Sequence, residues 1–220
     1  YDNSGTLTLE LSAAWTNDTT RADALALQDG IYVKSGTTTR RWLGTIRASG
    51  ANVTADSGGG STTQVGGQRF VWNAYNRVPR TLCVIDTTDN WTYNTGTWRY
   101  ADNASGNKVE WVTGDAATLV AIGLLASTFI YSQSGRINAV AVGVDWTSGL
   151  PTTGLRQASY SKALVTASQY VAVSADYVGL PGLGYHYGGW LEYGGDGTTI
   201  WVGDNAGDGQ QTGLNGWIQG

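Results

Sequence analysis

The chain has 220 residues, room for one large β domain or two small ones. Its net charge is −4 and lysine occurs only at Lys34, Lys108 and Lys162, which excludes the clustered cationic surface that nucleic-acid phosphates require. Glycine is abundant at 32, proline scarce at 3, and glutamate is confined to Glu10, Glu110 and Glu192; this argues against surface helices and for short strands joined by turns.

Residues 6–11, Thr-Leu-Thr-Leu-Glu-Leu, alternate polar and apolar, which predicts a half-buried strand. Residues 24–28, then Asp29-Gly30, then 31–34 predict a hairpin, because glycine tolerates positive φ in a two-residue turn. A short helix over 21–27 is the competing reading. Residues 41–48 predict another strand, with Trp42 and Leu43 offered to a core. Residues 57–67 are rich in Gly, Ser and Thr and read as an exposed loop. Gly58-Gly59-Gly60 is no phosphate loop, since no Gly-Lys-Ser/Thr follows it.

Further strands are predicted at 70–75, 81–86, 91–93, 97–100 and 108–113, a spacing that suits a sandwich or barrel. Others follow at 118–131, 136–144, 170–173, 185–193, 199–202 and 216–219. The expected fold is all-β: an antiparallel, jelly-roll-like sandwich spanning 1–220 as one domain. A composition shift near 145–154 allows a subdivision into 1–145 and 146–220.

Cys83, alone of its kind, sits in the apolar run Leu82-Cys83-Val84-Ile85 and reads as a small core thiol. A chain with no intrachain disulfide fits assembly in a reducing cytosol. The longest apolar stretch, 119–131, is broken by Gly123, Ser127 and Thr128 and falls short of the about 20 residues of a membrane helix, so no membrane insertion is expected. The lack of any methionine predicts a processed product or a piece of a longer chain.

Catalytic material is sparse. A glycosidase needs two carboxylates across a cleft, and the candidates are Glu110 with Asp115 and Glu192 with Asp196. His186, the single histidine, lies in an aromatic, glycine-rich run without a nucleophile-elbow pattern. Asp204-Asn205-Ala206-Gly207-Asp208-Gly209 offers hard oxygen ligands on a turning backbone, a candidate Ca²⁺ loop through Asp204, Asn205 and Asp208. No other cofactor is expected.

Aromatic residues form two groups. Trp91, Tyr93, Trp98 and Tyr100 alternate, so each strand puts its pair on one face; Tyr185, Tyr187, Trp190, Tyr193 and Trp201 follow later. Such side chains suit a core, a subunit interface, or stacking on sugar rings.

Four stretches carry a resemblance. They are Tyr1-Asp2-Asn3-Ser4-Gly5-Thr6-Leu7-Thr8-Leu9-Glu10, Gln28-Asp29-Gly30-Ile31-Tyr32-Val33-Lys34-Ser35-Gly36, Thr39-Arg40-Arg41-Trp42-Leu43-Gly44-Thr45-Ile46-Arg47 and Arg69-Phe70-Val71-Trp72-Asn73-Ala74-Tyr75-Asn76-Arg77-Val78. In order and spacing this set resembles tailed-phage virion structural proteins of the fibre and decoration type, mainly over residues 1–113. In such relatives a further β-rich segment often precedes the Tyr-Asp-Asn-Ser-Gly stretch. The resemblance implies a homotrimer, assembled in the bacterial host cytoplasm and carried on the virion surface, with other capsid or tail proteins as partners. It implies a non-enzymatic capsid decoration or head-fibre protein. The alternative is a receptor-binding tail fibre or adhesin whose aromatic residues contact host surface glycan.

Overall fold

A computed structural model of the chain describes residues 1–60, 64–130, 136–149, 158–163, 169–195, 199–204, 206 and 211–220. The first strands are short. β1 (Asp2–Asn3) pairs with β2 (Thr6–Leu7), while β3 (Leu25–Gln28), β4 (Ile31–Lys34) and β5 (Thr37–Arg41) make a three-stranded sheet. β6 (Gly44–Ile46), β7 (Asp56–Ser57), β8 (Gln68–Arg69) and β9 (Val71–Asn73) follow, with β6 paired to β9. Next come β10 (Pro79–Ile85), β11 (Asn90–Thr92), β12 (Trp98–Tyr100), a 3-10 turn at Ala101–Asn103, and β13 (Lys108–Thr113). β14 (Val120–Ile130), β15 (Arg136–Val144), β16 (Ala158–Ala163) and β17 (Gln169–Gly179) lead to β18 (Gly184–Gly194), β19 (Thr199–Val202) and β20 (Gly213–Gln219).

Two sheets hold the core. One runs β10-β20-β14-β19-β11, with β17 on the other side of β14; the second runs β16-β15-β18-β13-β8-β7, with β12 also against β18. Pairing is antiparallel except between β13 and β8. Leu82, Val84, Ile122, Leu214 and Ile218 of the first sheet meet Val109, Trp111, Val140 and Trp190 of the second in one buried cluster. The fold is therefore an all-β sandwich. The chain crosses between the layers from β11 to β12, β13 to β14, β14 to β15, β16 to β17, β17 to β18 and β18 to β19.

Two long strands organise this arrangement. β14 pairs along its length with β17 and shares its other side between β20 and β19. β18 pairs with β15, and its other side is shared by β13 (at 184–189) and β12 (at 191–193). Strands from beyond residue 146 thus pair with strands before it in both sheets. The boundary expected at 145/146 does not divide either sheet.

The hairpin over 24–34 forms as predicted, with Asp29 and Gly30 both at positive φ (50° and 81°), the conformation a two-residue turn requires. No helix forms over 21–27. Four other expectations need correction. The strand predicted over 6–11 stops at Leu7, and its leucines stay in solvent. The strand predicted over 41–48 breaks at Trp42 and Leu43, where Trp42 turns to stack on Trp72 and Leu43 stays exposed. Cys83 points away from the core, because its neighbours Leu82 and Val84 take the inward positions of β10. β16 was not foreseen.

The glycine-rich stretch is the fourth correction. Ser57 and Val65 are exposed, but the glycines of its described part pack on backbone: Gly67 N–H donates to Cys83 O at 2.8 Å and Cys83 N–H to Gly58 O at 2.7 Å. A Cβ at Gly59 (φ 94°) would collide with the Cys83 carbonyl, and one at Gly66 with that of Lys108. Glycine here permits backbone to lie on backbone. Residues 61–63 lie outside the described residues, as do 131 and 150–154 of the predicted strand and linker.

Candidate functional site

Alternation along β18 sorts the aromatic residues. His186, Trp190 and Glu192 face inward; Tyr185, Tyr187 and Tyr193 face outward and are half-buried. Trp201 lies opposite Trp91 in the β11–β19 pair, and both are buried. The Trp91 and Trp190 rings meet edge-on at 5.8 Å, and Trp201 Nε1 donates to Tyr93 O at 3.4 Å. Trp91, Tyr93, Trp190 and Trp201 therefore belong to the sandwich interior and are unable to touch an external ligand. On the opposite face, Trp98 packs on Tyr193 at 5.4 Å, and Tyr100 lies across Gly189, where a side chain would collide with it. The two aromatic groups predicted from sequence are thus one interleaved set on β11, β12, β18 and β19.

Glu192 is fully buried between these tryptophans. Trp91 Nε1 donates to one carboxylate oxygen at 2.7 Å and Arg99 Nε to the other at 2.8 Å. Burial pushes its pKa up to about 7, against the stabilising pull of Trp91 and Arg99. Its proposed partner Asp196 lies outside the described residues. The other candidate pair does not converge. Glu110 sits on the outward face of β13, bonded by Tyr185, Gln68 and Lys108. Burial raises its pKa, but those donors outweigh burial and hold the carboxyl below its usual value. Asp115 is occupied instead by Arg77, Thr118 and the Ala117 amide.

His186 is buried beside Trp111, its Nδ1 2.8 Å from Asp145 Oδ2, and its Nε2 meets no partner among the described residues. Asn205 and Asp208 of the candidate Ca²⁺ loop lie outside the described residues. Asp204 is described, and its Oδ1 is buried without a partner among them. No group of three or more acidic, His or Cys side chains able to hold a metal occurs among the described residues.

One surface was not foreseen. An open cleft of about 1030 Å³ separates residues 8–21 from the end of the sandwich. Its floor is a stack, Arg21 over Trp42 at 4.6 Å and Trp42 on Trp72 at 5.4 Å; outside the cleft, Arg77 covers Trp72 at 4.4 Å. Leu9, Leu11, Leu43 and Ile46 rim it. Glu10 reaches inward to Arg40 at 2.7 Å and Lys34 at 3.5 Å, so the pair Arg40 and Arg41 is neither a free cationic patch nor spare charge; Arg41 covers the Tyr75 ring at 4.1 Å. The available sequence signal was the closeness of Trp15, Arg21, Arg40, Arg41 and Trp42 in one stretch, but their pairing with Trp72 and Tyr75 is long-range.

Comparison with protein-family models gave no match, and comparison with curated proteins gave none at a significant level.

Proposed function

We propose that this chain is a non-enzymatic structural protein of a tailed-phage virion, of the capsid decoration or head-fibre type, acting as a homo-oligomer. One observation carries the reading. Within the region that resembles phage virion proteins, residues 7–53 hold the main group of exposed large apolar side chains among the described residues. Contiguous exposed apolar surface of this kind belongs to interaction sites, not to the free face of a monomer.

The buried tryptophans support the same reading. Four of the nine aromatic residues that a glycan-binding adhesin would present, Trp91, Tyr93, Trp190 and Trp201, are spent inside the sandwich. Of the four acids that a depolymerase would use, Glu192, Glu110 and Asp115 are tied to Arg99, Trp91, Tyr185, Gln68, Lys108 and Arg77, and Asp196 lies outside the described residues. Outward Tyr185 and Tyr187 remain the surface an adhesin would use. Other virion proteins and a second copy of the chain are the partners; Ca²⁺ at the loop around Asp204 is an accessory proposal.

The test is mass spectrometry and particle reconstruction on purified virions. The chain should be present at a stoichiometry that is a multiple of the local particle symmetry, as density on the outer surface. Its absence from purified virions, with abundance in the infected-cell lysate, would overturn the reading. Saturable binding of the isolated chain to host polysaccharide, lost in Tyr187→Ala, would favour the adhesin instead.

A further inference from the structure

Residues 6–11 carry the pattern of a strand with one buried face, yet the single chain pairs only Thr6, Leu7 and Thr8, along one edge with residues 1–3, and buries none of the leucines. Leu7, Leu9 and Leu11 are 85%, 81% and 79% exposed. β2 ends at Leu7, and among the described residues the backbone of Leu9, Glu10 and Leu11 meets no hydrogen-bond partner. The polarity is inverted relative to a strand on a monomer's surface. Glu10 points at the chain's own Arg40 and Lys34, which turns the leucine face outward. An extended segment with open N–H and C=O groups and an apolar face is a template for pairing with another chain.

We propose that residues 6–11 form an inter-subunit strand, buried against a second copy of this chain. The proposal rests on the homo-oligomeric reading above and names its interface. A second copy is the fitting occupant because the chain carries both halves of the contact. Leu43 and Ile46 stand exposed beside Leu9 and Leu11 at the cleft. Leu27, Ile31 and Tyr32 stand exposed on the β3–β5 sheet, where β3 is an edge strand. A donor strand and an acceptor edge on one chain are what a self-complementary or ring-closing interface requires. These side chains present roughly 500 Å² of apolar surface, at about 100 Å² for each one fully exposed. In a two-fold interface, where each copy gives both the donor and the acceptor side, the two chains together reach the about 1,000 Å² total of a specific interface.

The experiment compares the full chain with its Leu7→Ser, Leu9→Ser, Leu11→Ser triple variant. Light scattering after size exclusion should give an oligomer for the parent and a monomer for the variant, with an unchanged circular-dichroism spectrum, since these leucines touch no core of their own chain. Hydrogen exchange supplies a readout free of mutation: amides of residues 9–11 should be protected in the parent oligomer and lose protection on dilution. A parent oligomer that survives in the triple variant, with those amides unprotected, overturns the strand but leaves the homo-oligomeric reading standing. A parent that stays monomeric at high concentration overturns both. Protection that develops only when virions are added overturns the second-copy assignment and points to another virion protein.

Discussion

The indole of Trp42 stacks on that of Trp72, with ring centroids 5.4 Å apart and planes inclined by 23°. Arg21 covers the outer face of Trp42 and Arg77 a face of Trp72, so four side chains from distant stretches form one column. Trp72 is buried and its Nε1 donates to Thr118 at 3.1 Å, which roots the column in the sandwich. Arg21 also donates to the Gly114 carbonyl. The column fastens the small β3–β5 sheet to the main body.

Removing a member should loosen that attachment without melting the sandwich. Trp42→Ala is expected to cost about 1–3 kcal/mol locally, from lost stacking and a lost cation–π contact. Limited proteolysis should then cut between residues 21 and 43 several-fold faster, while the main thermal transition moves little. A large fall of the main transition would show that the small sheet and the sandwich fold as one unit.

Core aromatics and outward aromatics should behave differently. Trp201→Ala empties a fully buried site and is expected to cost about 3–5 kcal/mol. Tyr187→Ala, on the outward face, should cost about 1 kcal/mol or less. Urea denaturation of both variants separates the two cases, and equal losses would contradict the placing of Trp201 in the core and of Tyr187 on the outward face.

Glycine at 59 is fixed by backbone contact and by its φ of 94°. Gly59→Ala forces a Cβ into the Cys83 carbonyl and should destabilise the chain by more than about 2 kcal/mol. The same contact shields Cys83, whose thiol is pushed up by burial. Its reaction with a thiol reagent should therefore be slow in the parent and faster in the Gly59 variant.

Glu192 makes stability depend on pH in a stated direction. Its folded pKa, about 7, lies above the ordinary value of 4.5, so between these limits the folded state binds more protons than the unfolded one. Its contribution is present below the lower limit and is lost as pH rises through about 7. The loss amounts to as much as about 3 kcal/mol. Glu192→Gln keeps an acceptor for Trp91 and removes the titration. Its unfolding free energy should fall less than the parent's between pH 5 and 8; parallel curves would show that the carboxyl is ionised throughout.

Local pattern made much of this protein legible. Asp29-Gly30 fixed its own turn, because positive φ is a property of those two residues. Period-2 alternation located β15, and apolar and aromatic runs between turns located β13, β18 and β19, nearly to the residue. Low charge and scarce glutamate correctly pointed to sheets. Alternation also marked residues 6–11 as a strand, but a sequence pattern states only that a face is to be buried, not which surface buries it.

Only the tertiary structure decided which strands are neighbours, since hydrogen-bonded pairs such as β10 with β20 join residues far apart in the chain. It also divided the aromatics. Trp190 and Tyr187 look alike in sequence, yet their positions of opposite parity on β18 send one into the core and the other outward. The glycine-rich stretch read as a solvent loop because composition reports flexibility; the structure packs it on Cys83, a contact that depends on the absence of side chains. The Trp42–Trp72 column had no local signature for the same reason: its members meet only after the sandwich has formed.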